Sequence, residues 1–106
     1  MISVTFTVDA FDRITAVTLR GHAQSVKQGI DPLCAAVTGI MTYTVNTLKE
    51  VKRLSPYVSA KDPGDLTIRI EEAQAEAAQD LLQGLRVQFQ DYEKQYPDSI
   101  RVAVSQ

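Results

Sequence analysis

The chain has 106 residues, enough to bury one small core and not two, so we expect a single domain over residues 1–106. Hydrophobic residues make up 44% and charged residues 23%, which excludes the disordered and fibrous classes. Eleven Lys and Arg stand against thirteen Asp and Glu, and no basic cluster stands out, so we expect no direct nucleic-acid binding.

The N-terminal part of the chain predicts a β-hairpin. Four apolar residues alternate with Ser and Thr, which is typical of a strand with one buried face: Ile2, Val4, Phe6 and Val8. A turn at residues 9–12 leads into a second strand at residues 13–19, which is rich in β-branched residues. The apolar parity of this strand changes after Ala16, and either a β-bulge or burial on both faces explains the change. The hairpin then delivers Gly21 and His22 at its end.

The next apolar residues have helical spacing. Steps of three and four place six side chains on one face: Val37, Ile40, Met41, Thr44, Leu48 and Val51. Thr and Val lower the intrinsic helix propensity, so packing must hold this helix. We place its end at Ser55 and Pro56, because the residue before a proline is pushed out of the α region. The stretch is poor in charge but too polar to span a membrane, and we interpret it as a buried helix, with a subunit interface as one setting.

The C-terminal half predicts two more strands, a helix and a last strand. A short strand at residues 57–61 and a strand at residues 66–70 flank a Pro-Gly turn at residues 62–65. The second helix has six apolar residues on one face: Ala78, Leu81, Leu82, Leu85, Phe89 and Tyr92. Pro97 ends this helix, and residues 100–104 alternate as a strand. The order ββαββαβ predicts an α+β fold, a mostly antiparallel β-sheet with two α-helices in a single-domain sandwich.

The only cysteine lies where the sequence predicts the start of the first helix. Asp31 is a preferred N-cap and Pro32 suits the first helical position, so Cys34 falls at the third position. A sulfur there can face N–H groups without an intrahelical partner and the positive end of the helix dipole. Both favour the thiolate, which is the species that attacks.

The only histidine, His22, lies twelve positions before Cys34. A neutral imidazole within hydrogen-bond reach could take the thiol proton and later give it to a leaving amine. The residue types alone leave other interpretations open: Cys34 as a small buried hydrophobe, His22 as a surface or packing residue, and Asp31 as a cap only. One His, one Cys and one Asp are too few ligands for a closed zinc centre, and we expect no metal and no cofactor.

Three short segments resemble the GHA…GxD…CAAV signature of the ribosomal-processing cysteine protease family Prp. They comprise Gly21, His22 and Ala23, then Gly29, Ile30 and Asp31, then Cys34, Ala35, Ala36 and Val37. The resemblance covers essentially the whole chain. Two positions depart from the family pattern: Pro32 stands where an aliphatic residue is common, and Thr38 where serine is common.

This resemblance implies a cytoplasmic bacterial endopeptidase that removes the N-terminal extension of a large-subunit ribosomal protein. It also implies a homodimer. His22 and Cys34 correspond to the catalytic dyad, and Asp31 to the supporting aspartate. Gly21, Ala23 and Gly29 correspond to the substrate loop. A cytoplasmic location agrees with an N-terminus that lacks the basic and apolar regions of a signal peptide.

Two other functions stay open at the level of sequence. The first is a noncatalytic module that binds a ribosomal protein or an assembly intermediate, with Cys34 and His22 merely packed near the groove. The second is redox sensing through Cys34, which predicts a reversible sulfenic acid or an intermolecular disulfide and no peptide cleavage.

Overall fold

The structure is a computed structural model, and it describes residues 1–21, 32–60 and 65–106. Its elements are β1 (Ile2–Val8), β2 (Ile14–Arg20), α1 (Pro32–Asn46), a π-helical turn (Thr47–Val51), β3 (Tyr57–Ser59), β4 (Leu66–Arg69), α2 (Glu72–Gln95) and β5 (Ile100–Ser105). This order confirms the predicted ββαββαβ fold. The predicted Pro-Gly turn falls largely on residues 61–64, which lie outside the described residues.

The five strands form one sheet in the order β3-β4-β2-β1-β5. The pairs β1–β2, β2–β4 and β3–β4 are antiparallel, and β1–β5 is parallel. The parallel pair arises because α2 crosses from β4 to β5, and a crossover of this length is what parallel strands require. The prediction of a mostly antiparallel α+β sheet is confirmed.

The change of parity in β2 comes from a β-bulge. Thr7 of β1 pairs with Ala16, and the next pair in the ladder is Val8 with Ile14. Thr15 is therefore an extra residue on β2, and it shifts the alternation by one position. Because of this bulge, Ile14 faces the same core as Val17 and Leu19, which follow the bulge.

Both helices cover the same face of the sheet. A single hydrophobic cluster contains side chains from β1, β2, β4, β5, α1 and α2, and its largest members are fully buried: Ile2, Phe6, Ile14, Met41, Leu48, Ile68, Leu82, Phe89 and Ile100. The rings of Phe6 and Phe89 lie 6.0 Å apart between centroids, so β1 and α2 meet at the centre of the core. The described chain thus forms two layers, with helices on one side of the sheet.

The predicted face of α1 is correct for five of its six residues. Val37, Met41, Thr44 and Leu48 are buried and Ile40 is half-buried, with the buried hydroxyl of Thr44 donating to the carbonyl of Ile40 at 2.7 Å. The sixth residue, Val51, is 75% exposed, and its assignment to the core was wrong. It lies in the π-helical turn, where the wider spiral rotates a residue three positions after Leu48 away from the core.

This helix also ends earlier than Ser55 and Pro56, the predicted boundary. Arg53 takes the left-handed conformation, with φ of 57°. The next N–H, from Leu54, then donates to the carbonyl of Leu48 at 2.8 Å, six positions back. The usual closure of an α-helical C-terminus spans one residue fewer, and the π-helical last turn accounts for the extra one. The left-handed residue ends the helix, and proline only follows it.

The predicted face of α2 is confirmed, because all six of its residues are buried or half-buried in the core. The helix ends at Gln95, two residues before Pro97. One polar residue of α2 joins the helix to the bulge of β2. The side-chain amide of Gln79 accepts from the N–H of Ile14 and donates to its carbonyl, both at 2.8 Å. The backbone N–H and carbonyl of Ile14, next to the bulge, thus have their hydrogen-bond partner on α2.

Candidate active site

Cys34 is the third residue of α1, the position that the sequence predicts. Its side chain is half-buried and, like the neighbouring Leu33, packs against the edge of the hydrophobic cluster. One side of the residue is thus fixed by the core while the other remains accessible. This placement suits a nucleophile, which needs a fixed orientation and an open path for substrate.

The helix that carries Cys34 has no charged residue along its fifteen positions. In particular, its first turn contains no Asp or Glu, so no carboxylate within the helix opposes negative charge on the sulfur. No charged side chain of α1 therefore offsets the positive end of the helix dipole, where Cys34 lies.

Gly21, at the end of β2, has a structural requirement for glycine. Its φ is +86°, in the left-handed region, and a Cβ built on it would lie 2.5 Å from the carbonyl oxygen of Met1. Any other residue would force the start of β1 to move. Only glycine tolerates both this φ and this close approach, so the last described residue before His22 is fixed by the fold.

Four of the site residues, His22, Ala23, Gly29 and Asp31, lie outside the described residues. The two that are described, Gly21 and Cys34, stand on the elements at either side of this segment. Those elements are fixed relative to each other, because Leu19 of β2 and Val37 of α1 belong to the same buried cluster. The candidate site thus lies between the end of β2 and the start of α1, and both elements pack into the same hydrophobic core.

A cavity that the sequence analysis did not single out adjoins this strand end. It has a volume of about 420 Å³ and is lined by residues of three strands, among them Arg20, Tyr57, Thr67 and Arg69. The polar residues that alternate along β2 and β4 are visible in the sequence. They indicate a shared surface only when the structure shows that the two strands are neighbours.

In the part of the chain that the structure describes, no three His, Cys, Asp or Glu side chains are placed so that they could hold a metal ion. Nor does any helix within it have the length and apolar character needed to cross a membrane.

An α+β sheet with a half-buried cysteine at the start of its first helix is compatible with a cysteine hydrolase, and similarity to known proteins decides the class. The family model described as "Cysteine protease Prp" matches residues 1–101. The chain belongs to the cysteine protease Prp family.

The relatives support the same assignment over nearly the full chain. The ribosomal processing cysteine protease Prp of Staphylococcus aureus strain Mu50 is 30% identical over 103 residues, covering 96% of this chain and 97% of the relative. The crystal structure of S. aureus Prp with a covalently linked product peptide has a TM-score of 0.90 at 29% identity, covering 99% and 100% of the two chains. The same protease with a substrate peptide has a TM-score of 0.86 at 28% identity, with the same coverage.

Proposed function

We propose that this protein is a cysteine endopeptidase that removes the N-terminal extension of a large-subunit ribosomal protein. Its proposed dyad is His22 and Cys34. The observation that carries the proposal is the position of Cys34 at the start of α1, in a chain whose fold matches that of S. aureus Prp bound covalently to a product peptide. The substrate class follows from the name of that relative, a ribosomal processing protease.

The proposed chemistry divides peptide hydrolysis into two steps. The sulfur of Cys34 attacks the carbonyl carbon of the scissile bond, and His22 takes the thiol proton and passes it to the leaving amine. Water, deprotonated by His22, then hydrolyses the thioester and regenerates the thiol. Backbone N–H groups near Cys34 are the candidate donors to the oxyanion, because the N-terminal end of a helix carries positive partial charge. The reaction needs no metal and no cofactor, so activity should survive EDTA.

The first test compares Cys34→Ala with Ala77→Ser, a change at an exposed position of α2. Each variant is incubated with the extended ribosomal protein of its own host, and the products are identified by mass spectrometry. We expect Cys34→Ala to lose all cleavage, because it removes the nucleophile, and Ala77→Ser to retain it. Turnover by Cys34→Ala would contradict the proposal. Ribosomal-protein binding without cleavage by the parent would support the noncatalytic module instead.

Asp31 is proposed to support the dyad by capping α1 and by orienting His22. The change Asp31→Asn separates these roles, because Asn caps a helix about as well as Asp. We expect kcat/KM to fall while the melting temperature stays nearly constant. Equal kcat/KM in Asp31→Asn and the parent would leave Asp31 with the capping role alone. Gly21, Ala23 and Gly29 are proposed to form the loop that contacts substrate.

A homodimer and a cytoplasmic location complete the proposal. The exposed side of α1 is uncharged and built mostly from small residues, which suits close helix packing between subunits: Ala35, Ala36, Gly39, Thr42 and Tyr43. A Cβ added to Gly39 would meet no neighbouring element within 4 Å in the described part of the chain, so packing within one protomer does not require glycine there. Light scattering should give twice the monomer mass for the parent and the monomer mass for Gly39→Arg.

A further inference from the structure

The face of the sheet opposite the helices has no covering layer among the described residues. Its outward positions alternate with the core positions along each strand, as the cross-strand register requires. Seven of them carry Ser or Thr: Ser3, Thr5, Thr7, Thr18, Ser59, Thr67 and Ser105. We call this surface the open face. Its hydroxyls can donate and accept hydrogen bonds over several adjacent strands.

The charge of the open face differs from that of the whole chain. Arg20, Arg69 and Arg101 occupy outward positions on three strands, and all three are exposed. None of the outward strand positions carries Asp or Glu, although acidic residues outnumber basic ones in the chain. Within the described residues no ion pair involves any of these three arginines. Asp65, just before β4, places a carboxylate at the rim.

Two adjacent depressions make the open face concave. One has a volume of about 420 Å³ between β2, β3 and β4, and the other about 260 Å³ between β1 and β2. Arg20 lines both of them, so the two are neighbours on this face. Ser3 pairs with Arg20 on one side and with Arg101 on the other. These two arginines are therefore about 10 Å apart at the backbone, two strand spacings.

At the other edge of the open face, Arg69 stacks on an aromatic ring. Its guanidinium carbon lies 5.3 Å from the ring centroid of Tyr57, which is 55% exposed. The contact holds a cation beside a flat π surface. Such a pair can stack with a nucleobase while the guanidinium contacts a phosphate.

From this arrangement we infer that the open face binds single-stranded RNA, with Arg20, Arg69 and Arg101 on phosphates and Tyr57 as a stacking platform. RNA-binding surfaces are polar, wet and positively charged, and sheets that stack bases on aromatic side chains are a common form of them. A protein partner fits less well, because the centre of a protein interface is apolar and this face has Thr and Ser there. A second copy of the chain stacked face to face would oppose arginines with arginines.

RNA binding is a function separate from proteolysis, and the net charge of the chain did not predict it. Net charge sums over the whole surface, whereas phosphates respond to the local field. The outward strand positions hold three arginines and no carboxylate, so a chain of net charge −2 still presents a cationic face. RNA binding here requires neither Cys34 nor His22, so its test is independent of the proposed protease activity.

The test measures fluorescence anisotropy of a labelled single-stranded oligouridylate of about 12 nucleotides, a length that suits a surface of this kind. The variant is Arg20→Gln, Arg69→Gln and Arg101→Gln combined. Its matched control combines Lys49→Gln, Arg53→Gln and Lys94→Gln, which removes the same charge from positions off the open face. We expect the first triple variant to bind at least about tenfold more weakly than the parent, and the control to stay within about threefold of the parent.

The salt dependence of binding gives a second readout. Three phosphate contacts with a single strand predict a slope of about −2 in log K against log salt, and each Arg→Gln change should reduce it by about 0.7. Asp65→Asn should tighten binding, because it removes the carboxylate at the rim. Equal loss in both triple variants would overturn the inference. So would a parent with no binding below about 1 mM at low salt, or one that binds polyglutamate and not RNA.

Discussion

The two faces of strand β1 contribute differently to the stability of the fold. Along β1, Ile2, Val4 and Phe6 are at most 1% exposed under the helices, whereas Ser3 and Thr5, between them, lie on the open face. Thr resembles Val in shape and favours the strand as Val does, so both faces are compatible with β-structure. Only the apolar face contributes appreciable hydrophobic free energy. The open face is therefore free to vary in chemistry without loss of the fold.

The largest test of this contrast is to truncate one residue on each face. Phe6→Ala should lower the free energy of unfolding by about 3–5 kcal/mol, because Phe6 is fully buried and contacts Phe89. The matched change on the open face, Thr5→Ala, should lower it by no more than about 1 kcal/mol, through the lower strand propensity of Ala. Urea denaturation followed by circular dichroism measures both. A similar loss in the two variants would show that the open face is buried by something in solution.

A second test concerns the end of β2, where the segment with the proposed catalytic histidine begins. Gly21→Ala should cost about 1–3 kcal/mol in the free energy of unfolding, from the positive φ and the clash with Met1. The control is Gly84→Ala in α2, where an added Cβ meets no neighbouring element within 4 Å among the described residues. That change should stabilise the protein by up to about 1 kcal/mol. Thermal melts compare the two, and a neutral Gly21→Ala would refute the close approach.

A third test concerns the link between α2 and the bulge. Gln79→Ala should cost about 1–3 kcal/mol, because it leaves the backbone N–H and carbonyl of Ile14 without their partners. Gln83→Ala, one turn further on, removes a bond to Gln79 itself and should cost less than about 1 kcal/mol. Amide hydrogen exchange at Ile14 provides a local readout. Unchanged protection of that amide in Gln79→Ala would contradict the link.

The smallest expected effect is a pH dependence at the hairpin turn. Partial burial by itself raises the pKa of Asp9. Hydrogen bonds from the backbone N–H groups of Arg13 and Phe11 lower it, and so does the Arg13 guanidinium at 2.9 Å. Together these groups hold the pKa of Asp9 below 3.8. A lowered folded pKa gives stability that is present above pH 3.8 and is lost as the pH falls through the folded value. Asp9→Asn should therefore flatten the acid limb of the stability curve. An acid limb as steep as that of the parent would exclude this contribution.

Local patterns in the sequence determined much of this protein. Alternation predicted the strands, and helical spacing predicted most of both buried faces. The change of parity in β2 indicated either a bulge or burial on both faces, and the structure has the bulge. Asp31 and Pro32 placed Cys34 at the start of α1, and the GHA and CAAV segments indicated the family. These features depend on residues within a few positions of one another, so periodicity and capping suffice to predict them.

Other features depended on parts of the chain that are distant in sequence. The need for glycine at position 21 follows from its contact with Met1, which the pairing of β1 with β2 creates. The cationic open face exists because the strand order places Arg20, Arg69 and Arg101 on one surface. Each is decided by which elements become neighbours, and only the tertiary structure sets that, because burial and charge add up over space and not along the chain.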